Sequence, residues 1–301
     1  MKKILIGITG FLMAIADTMP GLSGGTIAFI MGYYDEFIES IKNLTNKEKR
    51  KKSIKFLINL GVGWIGGALI GILLIDKLLS ENPYEMISFF MGLVIIAIPY
   101  TFKGELINMK NRKNMIFTII GAALVVGISS SGKLISLDFQ NGIPIYMYLY
   151  LFIVAMVAIS GMLLPGISGS TILLIFGVYT FIIGYIKDFI LTLDFGLLPV
   201  IMVVVLGIVV GALSVARAIS YAFKQHRGRM LYLILGLMIG SLYSIWNAAP
   251  LIEKVAEKGI MHNAMGIENF NIISFICGIC VIIGIEYIKK LFNNKKDENE
   301  I

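Results

Sequence analysis

Two seven-residue segments of this chain combine residue types that can bind an anion. Residues 20–26 read PGLSGGT (heptad 1) and residues 165–171 read PGISGST (heptad 2), so the two segments lie 145 residues apart. Proline ends an incoming helix because it lacks a backbone N–H and clashes with the preceding turn, and glycine permits a tight reversal. A serine can then cap the outgoing helix, while neighbouring backbone N–H groups remain available to an anion.

The heptads therefore predict a site for a phosphate or a carboxylate at two helix N-termini, where the positive end of the helix dipole lies. The predicted hinge residues are Pro20, Gly21, Pro165 and Gly166. The candidate phosphate-binding residues of the heptads are Ser23, Gly24, Gly25, Thr26, Ser168, Gly169, Ser170 and Thr171. The alternative is that these small residues only let helices pack closely. We assign that packing role to Gly63, Gly67, Gly71, Gly207, Gly211 and Ser214.

Three charged residues in or near apolar runs are further candidates. Arg217 is a candidate phosphate ligand, and the alternative is that it snorkels to the membrane surface. Asp17 lies one turn before heptad 1, where it could take up a proton or a sodium ion or could cap local backbone amides. Glu36 is a second candidate for ion coupling, although we expect it closer to the membrane interface.

The composition is that of an integral membrane protein. The 301 residues are 57% hydrophobic and 15% charged, with a mean hydropathy of +0.85, whereas soluble domains average about 25% charged residues. Cytoplasmic loops explain the net charge of +7 better than nucleic acid does, since aromatic and basic residues do not interleave. We expect Cys277 and Cys280 to be buried thiols, and we predict neither a cofactor nor a metal site.

Apolar runs predict the helices of the membrane domain. They cover residues 4–19, 26–41, 56–76, 86–102, 115–132, 145–164, 171–186, 196–223, 230–248 and 270–289. The runs on either side of heptad 1 hold 16 residues each, fewer than the roughly 20 that a helix needs to cross the bilayer. We therefore expect each heptad to be the tip of a re-entrant hairpin, with two full spans as the alternative.

The chain carries an internal duplication. Residues 20–44 and 165–189 match at 12 of 25 positions, and the match continues at an offset of 144 through Gly63/Gly207, Gly67/Gly211 and Gly92/Gly236. We expect one membrane domain over residues 1–301, with repeat one over about 1–135, repeat two over about 140–292 and a polar tail over 293–301. Each repeat then holds a hairpin and three transmembrane helices, and this odd number inverts repeat two. The prediction is an all-α membrane protein with inverted repeats, an architecture of secondary transporters.

The loop charges predict the orientation. With the N-terminus in the cytoplasm, the cytoplasmic segments hold 20 Lys and Arg residues and the outer segments hold 5. This bias predicts that both termini lie in the cytoplasm. The first residues mimic a signal peptide, but they lack an Ala-x-Ala cleavage site, so we expect them to be retained.

The sequence resembles the PopT-type polyprenyl-phosphate transporter family. The resemblance rests on ADTMPGLSGGTIAFIMGYYDEFI, AMVAISGMLLPGISGSTILLIFGVY, FFMGLVIIAIP and GLMIGSLYSIW, and it covers nearly the whole chain. It implies a flippase of the cytoplasmic membrane that returns a polyprenyl phosphate, such as undecaprenyl phosphate, to the inner leaflet. That transport recycles the lipid carrier for cell-envelope synthesis. The expected partners are this lipid, the membrane lipids and H+ or Na+ as a coupling ion, with no nucleic acid.

Two other functions fit parts of the pattern. A channel or transporter for a small soluble anion would use the same helix-terminus chemistry. GLSG and GISG also fit the Gly-x-Ser-Gly motif of rhomboid-type intramembrane serine proteases, but a serine nucleophile needs a nearby base. The two histidines, His226 and His262, fall in loops on opposite sides of the predicted membrane domain. We therefore do not predict an enzyme.

The predicted orientation can be tested by cysteine labelling in a background without the two native cysteines. We expect a membrane-impermeant maleimide to label Glu48→Cys and Asn108→Cys only from the cytoplasm, because their loops carry the excess of Lys and Arg. Asp138→Cys and Lys258→Cys should be labelled only from outside. A single position labelled from the wrong side would break the argument for inverted repeats.

Overall fold

A computed structural model describes residues 2–17, 23–71, 78, 81–107, 109–130, 144–247 and 265–297. All regular secondary structure in these residues is helical. Five of the described helical segments are long and apolar enough to cross a membrane, judged by length and composition. This confirms the all-α class and the membrane-spanning character that the sequence predicts.

Eleven helices cover most of the described residues. They are α1 (Lys2–Asp17), α2 (Gly24–Ile30), α3 (Tyr34–Lys42), α4 (Arg50–Ile70), α5 (Pro83–Phe102), α6 (Met115–Ser130), α7 (Ile145–Leu163), α8 (Gly169–Ile175), α9 (Tyr179–Thr192), α10 (Leu198–Trp246) and α11 (Ile272–Asp297). Heptad 1 falls between α1 and α2, and heptad 2 falls between α7 and α8.

The helix after each heptad is interrupted, which corrects the sequence prediction of two unbroken runs. Gly32 (φ 76°) ends the short helix α2, and Gly177 (φ 70°) ends α8. In both turns the glycine N–H and the next N–H bond back to carbonyls of the preceding helix, as in a Schellman motif. The two glycines occupy the same place in the duplication, so both halves break at the same point.

Two helical segments meet where the sequence predicts a connection between two spans. Residues 224–229 were expected to connect two spans, and within them the backbone of α10 leaves helical geometry at His226 (φ −138°, ψ 44°), so α10 consists of two helices joined at this kink. The segment KQHRGR contains no proline, and Lys, Gln and Arg are good helix formers, so helix extends up to His226 from both sides and the connection is shorter than predicted. Ion pairs from Arg227 to Asp35 (3.1 Å) and Glu105 hold the kink against α3 and the end of α5.

Helix α11 also departs from the sequence prediction at two points. It continues to Asp297, so the first residues of the predicted polar tail at 293–301 are helical. Cys277 and Cys280 were expected to be buried, but both are exposed on its surface. The reason is that most of the apolar surface of α11 faces outward, where lipid rather than water would surround a membrane protein.

Glycines set the helix contacts, and they do so in the same way in both halves. A Cβ atom at Gly63 of α4 would overlap the carbonyl oxygen of Gly7 in α1, and one at Gly207 of α10 would meet that of Phe152 in α7. Gly92 of α5 touches α11 at Phe275, and Gly236 of α10 touches α6 at Thr118. The paired glycines predicted from the duplication therefore occupy matching close contacts. The short helices α2 and α8, which follow the heptads, lie largely buried within this packing.

The exterior is apolar where a lipid-facing surface would be. Val62, Ile119 and Ile145 are 67%, 69% and 88% exposed. In contrast, hydroxyl residues of the heptads are buried, including Ser23 and Thr26 at 0% exposure. The polar groups of this fold thus face inward at the tips, which is the arrangement expected when the surrounding solvent is hydrocarbon.

Candidate functional site

The turn of heptad 2 is held by one glycine. The chain leaves α7 at Leu163, passes through Leu164 in extended conformation and reverses at Gly166, whose φ is 91°. A side chain at Gly166 would be strained by this φ and would collide with the backbone of Leu237 in α10. Pro165 and Gly166 therefore lie at a reversal, as predicted. Their counterparts Pro20 and Gly21 in heptad 1 lie outside the described residues.

The two heptads contact each other through hydrogen bonds. The Gly166 N–H donates to Thr26 Oγ1 at 2.8 Å, and Ser23 Oγ donates to the Leu164 carbonyl at 3.3 Å. The Tyr34 hydroxyl donates to the Leu163 carbonyl at 2.9 Å. These three bonds satisfy polar backbone groups that the turn of heptad 2 leaves without helical partners. The predicted residues Ser23, Thr26 and Gly166 are therefore brought together.

Gly25 allows this close approach. A Cβ atom at Gly25 would lie 2.9 Å from the Met162 carbonyl oxygen and 3.2 Å from that of Leu163. Real Cβ atoms are not found at the shorter of these distances, so any larger residue would push the tips apart. Gly25 thus contributes to the candidate site by permitting contact between the tips.

The hydroxyl groups of the two heptads differ in their partners. Ser23 caps α2, because its Oγ accepts from the Thr26 N–H at 3.3 Å, and it lies 3.1 Å from Thr26 Oγ1. In heptad 2, Ser168 Oγ lies 2.7 Å from Ser170 Oγ. Thr171 is 5% exposed, yet its Oγ1 has no hydrogen-bond partner among the described residues. Its counterpart Thr26 accepts the bond that joins the tips.

Asp17 binds the start of α2. Its Oδ1 accepts from the Gly24 N–H at 2.7 Å and its Oδ2 accepts from Trp64 Nε1 at 3.2 Å. Of the two roles left open by the sequence, this geometry matches capping of a local amide. In heptad 2 the same place is taken by Met162, whose Cγ lies 2.8 Å from a Cβ built on Gly169. One half thus carries a carboxylate where the other carries a thioether.

The remaining predicted residues lie elsewhere. The Arg217 side chain is exposed and donates to Thr45 Oγ1 at 3.2 Å, so its observed partner belongs to the segment after α3 rather than to a heptad. Glu36 lies in α3 and lines a polar cavity of about 520 Å³ together with Lys49 and Lys52. Among the described residues, no group of three His, Cys, Asp or Glu side chains could hold a metal ion.

Two residues of the site were missed by sequence reasoning. Tyr34 matches Tyr179 in the duplication, and that shared position was a usable signal. Trp64, which contacts Asp17, carries no such signal. Its role follows only from the packing of α4 against α1.

The matches to known proteins cover both heptads. Residues 13–262 match the family described as undecaprenyl phosphate translocase-like. A polyprenyl-phosphate transporter of Vibrio cholerae serotype O1 is 31% identical in an alignment 258 residues long, which covers 79% of this chain and 76% of that protein. A polyprenyl-phosphate transporter of Staphylococcus aureus is 33% identical in an alignment 255 residues long, which covers 81% of this chain and 86% of that protein.

This chain belongs to the undecaprenyl phosphate translocase-like family. No solved structure gives a significant match. Together with the apolar helices, membership of this family identifies a multi-pass membrane protein and confirms the resemblance drawn from the heptads. The heptads lie within the matched residues, so their contact belongs to the part of the chain that is shared with the family.

The unequal hydrogen bonding of the paired threonines predicts unequal effects on stability. Thr26→Val should lower the free energy of unfolding by about 1–3 kcal/mol, because the buried Gly166 N–H loses its acceptor. Thr171→Val should cause no loss, because the hydroxyl it removes has no partner among the described residues. Unfolding of both purified variants in mixed micelles of dodecyl sulfate and a mild detergent measures the difference. Equal losses would contradict the described bonding of the two tips.

Proposed function

We propose that this protein transports a polyprenyl phosphate such as undecaprenyl phosphate across the cytoplasmic membrane, and that the phosphate binds where the two heptads meet. The observation that carries this proposal is the buried contact between the tips, in which hydroxyls and amides of both halves converge. The relatives' names supply the class of substrate. The direction that we propose is from the outer to the inner leaflet, which returns the carrier for envelope synthesis.

A phosphate would take over hydrogen bonds that the tips now make with each other. The hydroxyls of Ser23, Ser168 and Ser170 can rotate to donate to phosphate oxygens, and Thr171 Oγ1 has no other partner among the described residues to give up. Hydrogen bonds to a charged group are roughly twice as strong as those between neutral groups. Replacing hydrogen bonds between the tips with hydrogen bonds to a phosphate is therefore favourable.

The proposal rests on these hydroxyl and amide groups more than on helix dipoles. Helices α2 and α8 hold only 7 residues each, so they carry a shorter stack of aligned peptide dipoles than the predicted runs of 16 residues. Arg217 is left out of the proposed site because its guanidinium donates to Thr45. The site is thus built from neutral donors in a buried position.

Asp17 gives the proposed site a means of ion coupling. Its carboxylate holds the Gly24 N–H, one of the amides predicted to bind phosphate. A proton or a sodium ion on Asp17 would neutralise the carboxylate, weaken this bond and remove the repulsion between two neighbouring anions. We therefore propose that H+ or Na+ binds at Asp17 together with the phosphate, and that each favours the other by linkage. The cavity at Glu36 is a second polar site near the same hairpin.

Inverted repeats would bring the two tips together from opposite sides of the membrane. Matching glycine contacts and the matching breaks at Gly32 and Gly177 support the duplication. The 20-to-5 division of Lys and Arg supports cytoplasmic termini. We propose that each repeat consists of a re-entrant hairpin followed by three spans, with the heptads near the midplane, as in other secondary transporters.

The described contacts favour a lipid substrate over the two alternative functions. Ser23 hydrogen-bonds to Thr26 and Leu164, and Ser168 hydrogen-bonds to Ser170. In the described part of the chain neither serine bonds to His226, so neither has the base that would activate a serine nucleophile. A soluble anion would need only polar surfaces near the tips. Apolar side chains instead line a cavity that begins beside heptad 1.

The proposed phosphate site predicts a loss of binding when its hydroxyls are removed. Ser23→Ala combined with Ser168→Ala should weaken binding of undecaprenyl phosphate about tenfold or more per site, since each serine loses a hydrogen bond to a charged group. The measurement is the Kd of the purified variant in detergent micelles. Ser160→Ala is the matched control, because Ser160 Oγ bonds within α7 to the Met156 carbonyl. If the folded double variant binds undecaprenyl phosphate with unchanged affinity, the heptads serve only to let helices pack closely.

A further inference from the structure

An apolar cavity of about 220 Å³ lies in the first half of the protein, where α1, α2, α5 and α11 meet. All 11 of the described residues that line it are apolar. Phe89, Phe90 and Leu93 of α5 line it together with Val281 of α11. Val281 is 38% exposed, so this side of the cavity reaches the outer surface of the helices.

The cavity begins next to the tip of heptad 1. Ala16 lines it and directly precedes Asp17, whose carboxylate holds the Gly24 N–H. Ile27 also lines it and directly follows Thr26, which accepts the bond from Gly166. Because consecutive Cα atoms lie about 3.8 Å apart, the apolar wall starts one residue away from the polar groups of the tip.

The second half has no room at the matching position. Gly161 and Ile172 are the counterparts of Ala16 and Ile27. A Cβ at Gly161 would overlap the Cδ1 atom of Ile172 and would lie 2.9 Å from Cγ2 of Ile167. Ile167, Ile172 and Leu237 are buried together in a packed cluster. The first half therefore keeps open a space that the second half fills, although an unfilled apolar cavity lowers stability.

We propose that this cavity binds the isoprene units next to the phosphate of the transported lipid. The inference rests on the proposed function, because it places the phosphate at the tips. In a polyprenyl phosphate the hydrocarbon chain starts at the ester oxygen, so its first units must lie within a few ångströms of the bound phosphate. An apolar cavity of about 150 Å³ can hold benzene, and the cavity here is large enough for one or two branched five-carbon units.

The site would distinguish a prenyl chain from other lipid chains by shape. Lipid tails are as apolar as the cavity wall, so burial alone gives little preference within a bilayer, and packing decides. Methyl branches on every fourth carbon fill a wide cavity better than a straight chain does. The remainder of a long chain would leave past Val281 and stay in the bilayer, so the site does not depend on the total length of the lipid.

The test uses short soluble phosphates that compete with undecaprenyl phosphate for the purified protein. Affinity should rise at least about tenfold from methyl phosphate to geranyl phosphate, which carries two isoprene units, and should change little with farnesyl phosphate. Octyl phosphate is the matched straight chain for geranyl phosphate, and it should bind more weakly. Equal affinities for octyl and geranyl phosphate would overturn the proposal in favour of a general acyl-chain site.

A cavity-blocking variant provides the structural control. Val281→Trp should narrow the opening and weaken geranyl phosphate binding about tenfold, with no effect on methyl phosphate. Ile283→Trp is matched, because Ile283 is similarly exposed on α11 but does not line the cavity. Equal affinities of the two tryptophan variants for geranyl phosphate would overturn the proposal. If Val281→Trp does not fold, a prenyl phosphate with a diazirine on its first unit should crosslink α5 and α11 in the wild type.

The outcomes separate this inference from the proposed function. If undecaprenyl phosphate does not bind the wild-type protein, the phosphate site itself is wrong. If undecaprenyl phosphate binds but the affinity for the short phosphates does not change with their hydrocarbon chain, only the cavity assignment fails. Crosslinks confined to α6, α7 or α8 of the wild type would also overturn the cavity assignment, since those helices form the filled position of the other half.

Discussion

The structure depends on one constraint, which is that backbone leaving a helix inside an apolar protein must still find hydrogen-bond partners. Heptad 2 breaks the helix at Leu164–Gly166, and groups from the first half satisfy the break: Thr26 accepts from the Gly166 N–H, and Ser23 and Tyr34 donate to the preceding carbonyls. Gly25 lets the two backbones come close enough. Each tip therefore depends on the other, and the buried polar groups of both halves collect at one place.

Hydrogen bonds of this kind between the tips can be replaced by hydrogen bonds to a ligand. The hydrogen bonds between the tips are made by neutral groups, and a phosphate offers stronger bonds to the same donors. Without a ligand, Thr26, Ser23 and Tyr34 bond to the backbone of heptad 2. In the proposed function, a bound phosphate would take the place of these contacts. A site of this kind can be dry in both states, which avoids the cost of leaving polar groups unpaired in the membrane.

Three differences between the two halves lie at this contact. Thr26 is hydrogen-bonded and Thr171 has no partner in the described residues. Asp17 is matched by Met162, and Ala16 by Gly161. Elsewhere the halves keep matching glycine contacts, because close helix packing tolerates no Cβ there. The duplication thus supplies the frame, and Asp17 and Ala16, which depart from it, lie at the carboxylate and the apolar cavity beside the tips.

Sequence reasoning located the heptads, the duplication and the paired glycines, because proline, glycine and serine act through local backbone chemistry. It did not find the breaks at Gly32 and Gly177, since a single glycine within an apolar run is compatible with a continuous helix. It assigned Arg217 to the phosphate site because spacing along a helix does not reveal which neighbour a long side chain reaches. The bond between Gly166 and Thr26 spans 140 residues and follows only from tertiary packing.

The most direct test of a phosphate site between the tips compares undecaprenyl phosphate with undecaprenol, which has the same chain and lacks the phosphate. Both ligands are titrated onto the purified wild-type protein in the same micelles, so partition of the chain into detergent contributes equally. Several hydrogen bonds to a charged group predict that the phosphate binds at least about 100-fold more tightly. Equal affinity for the two lipids would contradict the account, because the protein would then recognise the chain alone.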